Sequence, residues 1–192
     1  MISIGEKREY QQKYSTNPIV LEEVFLDSDL EKVDKMIEKH GQEIPAPIDH
    51  APYRSGKTLM IEYNDETAWI YGWMHHVVND LNEKYYGFDA ADWIEPLFYH
   101  EYAEGDACDL HMDLDGADKF ADRKICITIS LSASEDYRGG NMQIYTNMNF
   151  YTVGRVKGTI TVFPSYLPYH IERVSQGKRR DLCFWVGGNA FK

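Results

Sequence analysis

The sequence predicts an α+β chain that is mainly β: a double-sheet barrel or jelly roll buttressed by N-terminal helices. Apolar residues repeat at helical spacing in two stretches before residue 90. From Trp93 onward the pattern changes to short alternating segments with turns between them. Helices first and many strands afterwards is the order expected when helices cover one face of an antiparallel double sheet. The expected boundaries are a helical buttress over about 20–90 and a jelly-roll core over about 93–188, within one domain spanning 1–192.

Residues Met1 to Asn17 are polar and read as a loose leader or edge segment. Ile19 to Leu21 and Val24 to Leu26 suggest a short strand feeding a helix. Ser28-Asp29-Leu30-Glu31 reads as a capping box, after which Leu30, Val33, Met36 and Ile37 mark one helix face up to Gly41. Gln42 to Ser55 holds Pro45, Pro47 and Pro52 and reads as a loop. A second helix is expected to start near Asn64, to carry an apolar stripe of Trp69, Ile70, Trp73, Met74, Val77 and Leu81, and to end by Gly87. His75 and His76 diverge on a helix and suit a surface better than a shared metal.

The β segments follow. Trp93 to Tyr102 is the first, and Ile125 to Ser132 is the clearest. There Ile125, Ile127, Ile129 and Leu131 alternate with Cys126, Thr128, Ser130 and Ser132, giving one greasy face and one small polar face. Segments Asn141 to Thr146, Thr159 to Phe163 and Asp181 to Val186 complete the set. The acidic stretch Leu114 to Arg123 lacks the twelfth-position glutamate of a calcium loop and reads as a mobile surface loop.

Composition excludes some partners. With 20 basic and 31 acidic residues the net charge is −11, which argues against nucleic acid and anionic membranes. No apolar run reaches the length of a membrane span, and no signal-peptide core follows Met1. Three cysteines, Cys108, Cys126 and Cys183, fit no metal motif and point to reduced thiols in a cytoplasm.

The candidate site begins at His111-x-Asp113, two metal-capable groups on one side of an extended chain. That motif alone is weak, since His170-Ile171-Glu172 also fits it. His170 comes 57 residues after Asp113, and Arg179 follows it by nine, at the head of the apolar strand Leu182 to Val186. An arginine entering a buried strand needs an anion. Two histidines and one carboxylate with open positions suit a non-haem Fe(II) oxygenase, and Arg179 then suits the far carboxylate of 2-oxoglutarate. Parity separates the neighbours: Arg179, Asp181, Cys183 and Trp185 share one face, and Arg180, Leu182, Phe184 and Val186 the other.

These residues resemble the prolyl-4-hydroxylase-type branch of the 2-oxoglutarate/Fe(II)-dependent dioxygenases, of the small bacterial or phage kind. The family's Y-x-x-G-x-x-Y-x-x-H-x-D is matched by Tyr102, Gly105, Cys108, His111 and Asp113. Its central block is matched by Leu131-Ser132, Tyr137, Gly139-Gly140 and Met142. Its distal F-P-S-x-x-x-H and G-x-R-x-x-L-x-F-W are matched by Phe163-Pro164-Ser165, His170, Gly177, Arg179, Leu182, Phe184 and Trp185. The resemblance implies a double-stranded β-helix with iron on His111, Asp113 and His170. It places 2-oxoglutarate on Arg179 and Tyr102, with Thr128 and Ser130 lining the pocket. It implies oxidative decarboxylation of 2-oxoglutarate to succinate and CO2, coupled by O2 to hydroxylation of a protein or peptide side chain, proline first, with ascorbate as reductant. Cys108 stands where the family often has tyrosine, and Asp181 where a serine is common. The alternatives are a cupin-like metal-dependent isomerase or hydrolase, for which Arg179 has no use, and a non-catalytic jelly-roll binding module.

Overall fold

The computed structural model describes residues 15–22, 24–44, 53–93, 95–114, 121–146 and 149–189. The expected leader lies outside them over 1–14, and the acidic loop lies outside them over 115–120.

The described residues form fourteen strands and two α-helices. The first half holds β1 (Ile19–Leu21), α1 (Asp27–His40), β2 (Gln42–Glu43), β3 (Lys57–Ile61) and α2 (Ala68–Leu81). A π-turn over Asn82–Tyr86 leads to β4 (Ala90–Trp93), β5 (Leu97–Tyr102), β6 (Cys108–His111) and β7 (Arg123–Ser130). Then come β8 (Tyr137–Gly139), β9 (Met142–Thr146), β10 (Asn149–Thr152), β11 (Ile160–Pro164), β12 (Tyr169–Ile171), β13 (Val174–Gly177) and β14 (Arg179–Gly188).

The larger sheet runs β1-β11-β7-β14-β5-β3-β2, with β4 on β14; the smaller runs β10-β9-β12-β6. All the pairings are antiparallel. Two sheets facing each other, with helices outside the larger one, form the double-stranded β-helix that the pattern predicts.

Strand β7 shows why. Every one of its residues is buried, so both of its faces are covered. Ile125, Ile127 and Ile129 pack with Leu182, Phe184 and Val186 of β14 and with Leu30, Val33, Ile37, Ile70, Met74 and Val78 of the helices. Cys126 faces the space between the sheets, with Cys183, Trp185, Tyr102, Met142 and Tyr169. The alternation of greasy and small residues is thus an alternation between two buried clusters.

Three local expectations shift. Helix α1 starts at Asp27, and Asp29, not Ser28, caps it: the Leu26 N–H donates to Asp29 Oδ2 at 3.3 Å. The segment Val24 to Leu26 stays outside β1. The inward face of α2 is Ile70, Tyr71, Met74, Val78 and Leu81, while Trp69 and Trp73 are each 37% exposed. The stripe is turned toward Tyr71 because its hydroxyl has a fixed job. It donates to Ile61 O and accepts from Leu97 N–H, both at 3.1 Å, joining α2 to β3 and β5.

Tyr71→Phe strands that carbonyl and that amide in a dry interior, so a loss of about 1–3 kcal/mol is expected. Urea unfolding at unchanged slope measures it; a loss within error of zero refutes the strut.

Candidate metal and co-substrate site

The site lies on the inner face between the sheets, and β6 supplies its first residue. Tyr169 pairs with His111 and Ile171 with Cys108, with a bulge between them. The irregularity turns Cys108 and His111 to the same side, although they are three residues apart. The His111 Nδ1–H donates to Asp109 O at 2.8 Å, which leaves Nε2 as the nitrogen for a ligand. Tyr53 stacks on the imidazole at 4.0 Å and Tyr169 leans on it at 4.3 Å.

Asp113 is 3% exposed. Its Oδ1 accepts from the Tyr169 hydroxyl at 3.3 Å and lies 3.6 Å from His111 Nε2 and 3.8 Å from Arg123 Nη1. Burial raises the Asp113 pKa, but the positive charges of His111 and Arg123 beside it hold it well below the usual carboxylate range. Burial lowers the His111 pKa, yet Asp113 and the Cys108 thiol raise it to about 9. A metal bound there displaces that proton. Arg123 is itself fixed by Glu95 at 2.5 Å, lies 3.8 Å over the Trp185 ring, and donates to Asp113 O at 3.2 Å.

Strand β14 carries the cation. Arg179 and Asp181 are 5% and 4% exposed, and Arg179 lies in register with Tyr102. Arg179 and Arg180 point to opposite faces, as parity requires. Arg179 points between the sheets, and Arg180 points to the helix side, where it reaches Asp34 of α1 at 3.0 Å. Gly139 and Gly140, both at positive φ, turn the chain so that Gly140 O accepts from Arg179 Nη1 at 2.9 Å. Thr128 and Ser130 pair with Cys183 and Asp181 of β14, on the same inner face.

His170 is a correction. In β12, Tyr169 and Ile171 are buried and His170 is not. Its cross-strand partner is Gln143, also partly exposed, whereas Tyr169 and Ile171 pair with the buried Ile144 and Met142. Residues one apart on a strand point to opposite faces, so His170 looks outward. It lies 5.8 Å from the Tyr145 ring and lines an open surface cleft with Leu110 and Glu172. No group of three His, Cys, Asp or Glu side chains among the described residues could hold a metal. The inward position belongs to Tyr169. The signal was present in the sequence: with three residues after Ser165, the final position of the family pattern F-P-S-x-x-x-H falls on Tyr169 and not on His170.

The remaining inner atoms allow a test of fit. His111 Nε2 and Asp113 Oδ2 are buried with no hydrogen-bond partner among the described residues, as a metal's two donors would be. The third group within reach is the Tyr169 hydroxyl, whose proton burial and Asp113 retain. One imidazole, one carboxylate and one phenol therefore stand where two imidazoles and a carboxylate are expected. The co-substrate anchor fits only in part. Arg179 is in place and the Tyr102 hydroxyl is buried without a partner, but Asp181 already takes Arg179 Nε at 2.7 Å and Nη2 at 2.9 Å.

Sequence reading missed Tyr53, Arg54, His100, Glu95 and Arg123 as parts of the wall. Arg54 contacts His100 across 46 residues, and burial together with Arg54 holds His100 neutral.

Comparison with known proteins agrees with this fold. No family model matches the chain. A PKHD-type hydroxylase of Acinetobacter baylyi is 26% identical over 98 residues, which is 48% of this chain and 43% of that protein. The match spans less than half of that relative's length. A Pseudomonas putida prolyl-4-hydroxylase superposes with a TM-score of 0.68 at 17% identity, covering 90% of this chain and 93% of that one. A Trichoplax adhaerens prolyl hydroxylase, solved with a hypoxia inducible factor peptide, gives 0.72 at 12% identity over 90% and 84%. A viral collagen prolyl hydroxylase from Paramecium Bursaria Chlorella virus-1, solved with 2-oxoglutarate, gives 0.65 at 18% over 90% and 96%. The fold is therefore that of the 2-oxoglutarate/Fe(II) oxygenases, and the chain resembles their prolyl hydroxylase branch.

Metal titration separates the two histidines. His111→Ala and Asp113→Ala are each expected to weaken Mn(II) binding by at least about tenfold, the lower end of what disturbing a metal's supporting shell costs. His170→Ala is expected to change it less than about threefold, as for a surface group. A loss at His170 equal to that at His111 would restore His170 as a ligand.

Proposed function

We propose that the chain is an oxidoreductase of the 2-oxoglutarate/Fe(II)-dependent dioxygenase type. In this reading it hydroxylates a side chain of a protein or peptide, prolyl 4-hydroxylation being the leading reaction, and releases succinate and CO2. The observation that carries the reading is the pair of buried, unpartnered atoms His111 Nε2 and Asp113 Oδ2 inside this fold. Such atoms are costly to leave unmet, and a divalent ion meets both. Iron held by His111 and Asp113, with the Tyr169 hydroxyl as third donor, would supply dioxygen activation.

The chain's own residues do the rest. The Tyr53 and Tyr169 rings flank the imidazole and keep water from it. Arg123 orients Asp113 through the backbone carbonyl and offsets its charge. Arg179 is the anchor for the acid tail of the co-substrate, and the Tyr102 hydroxyl, in register beside it, is a second donor. Thr128 and Ser130 line the inner face, and ascorbate as reductant rests on resemblance alone. Cys108, where the family often has tyrosine, removes a phenol from the wall and leaves a thiol 3.7 Å from His111 Nδ1. The peptide bound to the Trichoplax protein supports a peptide as substrate class here.

A second reading has its own observation. Tyr169 fills the position expected of the second imidazole, which favours a non-catalytic module that binds a peptide on this scaffold.

One assay separates the two. The protein is incubated with Fe(II), 2-oxoglutarate and a panel of proline-containing peptides, and peptides are weighed while succinate is measured. The first reading expects a gain of one oxygen, lost in His111→Ala and Asp113→Ala and retained in His170→Ala. Peptides that bind with unchanged affinity under a chelator, and never gain oxygen, favour the second.

A further inference from the structure

We infer that Asp181 is a built-in competitor for the co-substrate's distal carboxylate, so that 2-oxoglutarate reaches Arg179 only by displacing it. This deepens the reading above and rests on Arg179 being the anchor.

The geometry is one of occupied edges. A guanidinium presents five N–H groups and two edges on which a carboxylate can dock with two parallel hydrogen bonds. Asp181 fills the edge formed by Nε and Nη2, at 2.7 and 2.9 Å. The other edge needs Nη1, which donates to Gly140 O at 2.9 Å and to the Tyr137 hydroxyl at 3.3 Å. Neither edge is open to a second carboxylate.

Charge points the same way. Arg179 and Asp181 are both buried, and together they are neutral. Adding a carboxylate beside an intact pair would bury a net negative charge, which low-dielectric surroundings penalise. With a serine at 181 the arginine would instead lack an anion, and an incoming carboxylate would restore neutrality. Asp181 is also held from its own side, since β14 pairs it with Ser130 on one edge and His100 on the other. Its backbone is thus fixed on both edges, and yielding takes a side-chain rotation alone.

Asp181 is thereby a specificity-determining residue. It weakens dicarboxylic 2-oxo acids relative to what Arg179 alone would bind.

The experiment is a titration of 2-oxoglutarate by calorimetry, on metal-free protein and again with Mn(II). Wild type, Asp181→Ser, Asp181→Asn, Arg179→Ala and the double variant Arg179→Ala/Asp181→Ser are compared. Asp181→Ser is expected to bind at least about 30-fold more tightly than wild type, the lower end of the effect of exchanging a partner in a buried charge pair. The double variant is expected to lose that gain. Asp181→Asn keeps the shape and drops the charge, so it shifts in the same direction and gives the answer if the serine variant does not fold. Acetate, a carboxylate with no 2-oxo group, is expected to raise the melting temperature of Asp181→Ser and not of wild type. Equal affinity in wild type and both Asp181 variants overturns the inference; loss of binding in Arg179→Ala then shows that the anchor still stands. Absence of binding in every protein overturns both. Equal acetate stabilisation of wild type also overturns the inference.

Discussion

A strand buried on both faces has to serve two masters, and β14 and β7 set the terms for everything else. Side chains alternate strictly along them, so each residue is committed either to the helix side or to the space between the sheets. Leu182, Phe184 and Val186 meet the helices, and Arg179, Asp181, Cys183 and Trp185 meet the inner space. A slip of one residue would put an arginine and an aspartate among the isoleucines. The greasy face thus fixes the register, and the register delivers the polar face to the site.

Where this constraint acts, the sequence was legible. The alternation in Ile125 to Ser132 and the choice between Arg179 and Arg180 both follow from parity; the faces come out as expected, with the strand itself ending at Ser130. Where something else decides, it was not. Trp69 and Trp73 have the hydrophobicity of core residues, but the hydroxyl of Tyr71 sets the rotation of α2 by bonding two strands. Tyr53 and Arg54 enter the site from a proline-rich connection, and no periodicity in that segment announces it. His170 differs for another reason: it is a metal-capable residue type one position away from the inward one, and a displacement of one residue on a strand reverses a side chain's direction.

The environment of Asp113 shows what these placements achieve together. Its carboxylate is supported by an imidazole from β6, a phenol from β12 and a guanidinium from β7. The guanidinium is in turn tied to Glu95 and stacked on Trp185 of β14. Three of these groups come from different strands, so Asp113 is held only when both sheets are formed. Buried ionic networks are favourable only when every member is paired. This one is nearly complete: among the described residues His111 Nε2 and Asp113 Oδ2 are left without a hydrogen bond, and Nε2 lies 3.6 Å from the other carboxylate oxygen, Oδ1.

The two departures from the family pattern share a physical logic. A pocket shaped for a cation and a dicarboxylate carries, before they bind, a buried negative group and a buried positive group without partners. Here each has an internal partner: the Tyr169 hydroxyl donates to Asp113, and Asp181 takes the fork of Arg179. Both partners lie on the strand that presents the group or on the strand facing it, so neither requires a loop to close. Internal satisfaction stabilises the ligand-free interior, and it does so by the same interactions that a ligand would have to replace. Under the proposed function, affinity for metal and for co-substrate would be set by exchange of partners within the pocket. A phenol hydrogen-bonded to Asp113 is a weak competitor for a cation, because the metal can keep the oxygen and displace only its proton. A bidentate carboxylate on Arg179 would be a strong competitor, because an incoming carboxylate would offer the arginine nothing that Asp181 does not already give.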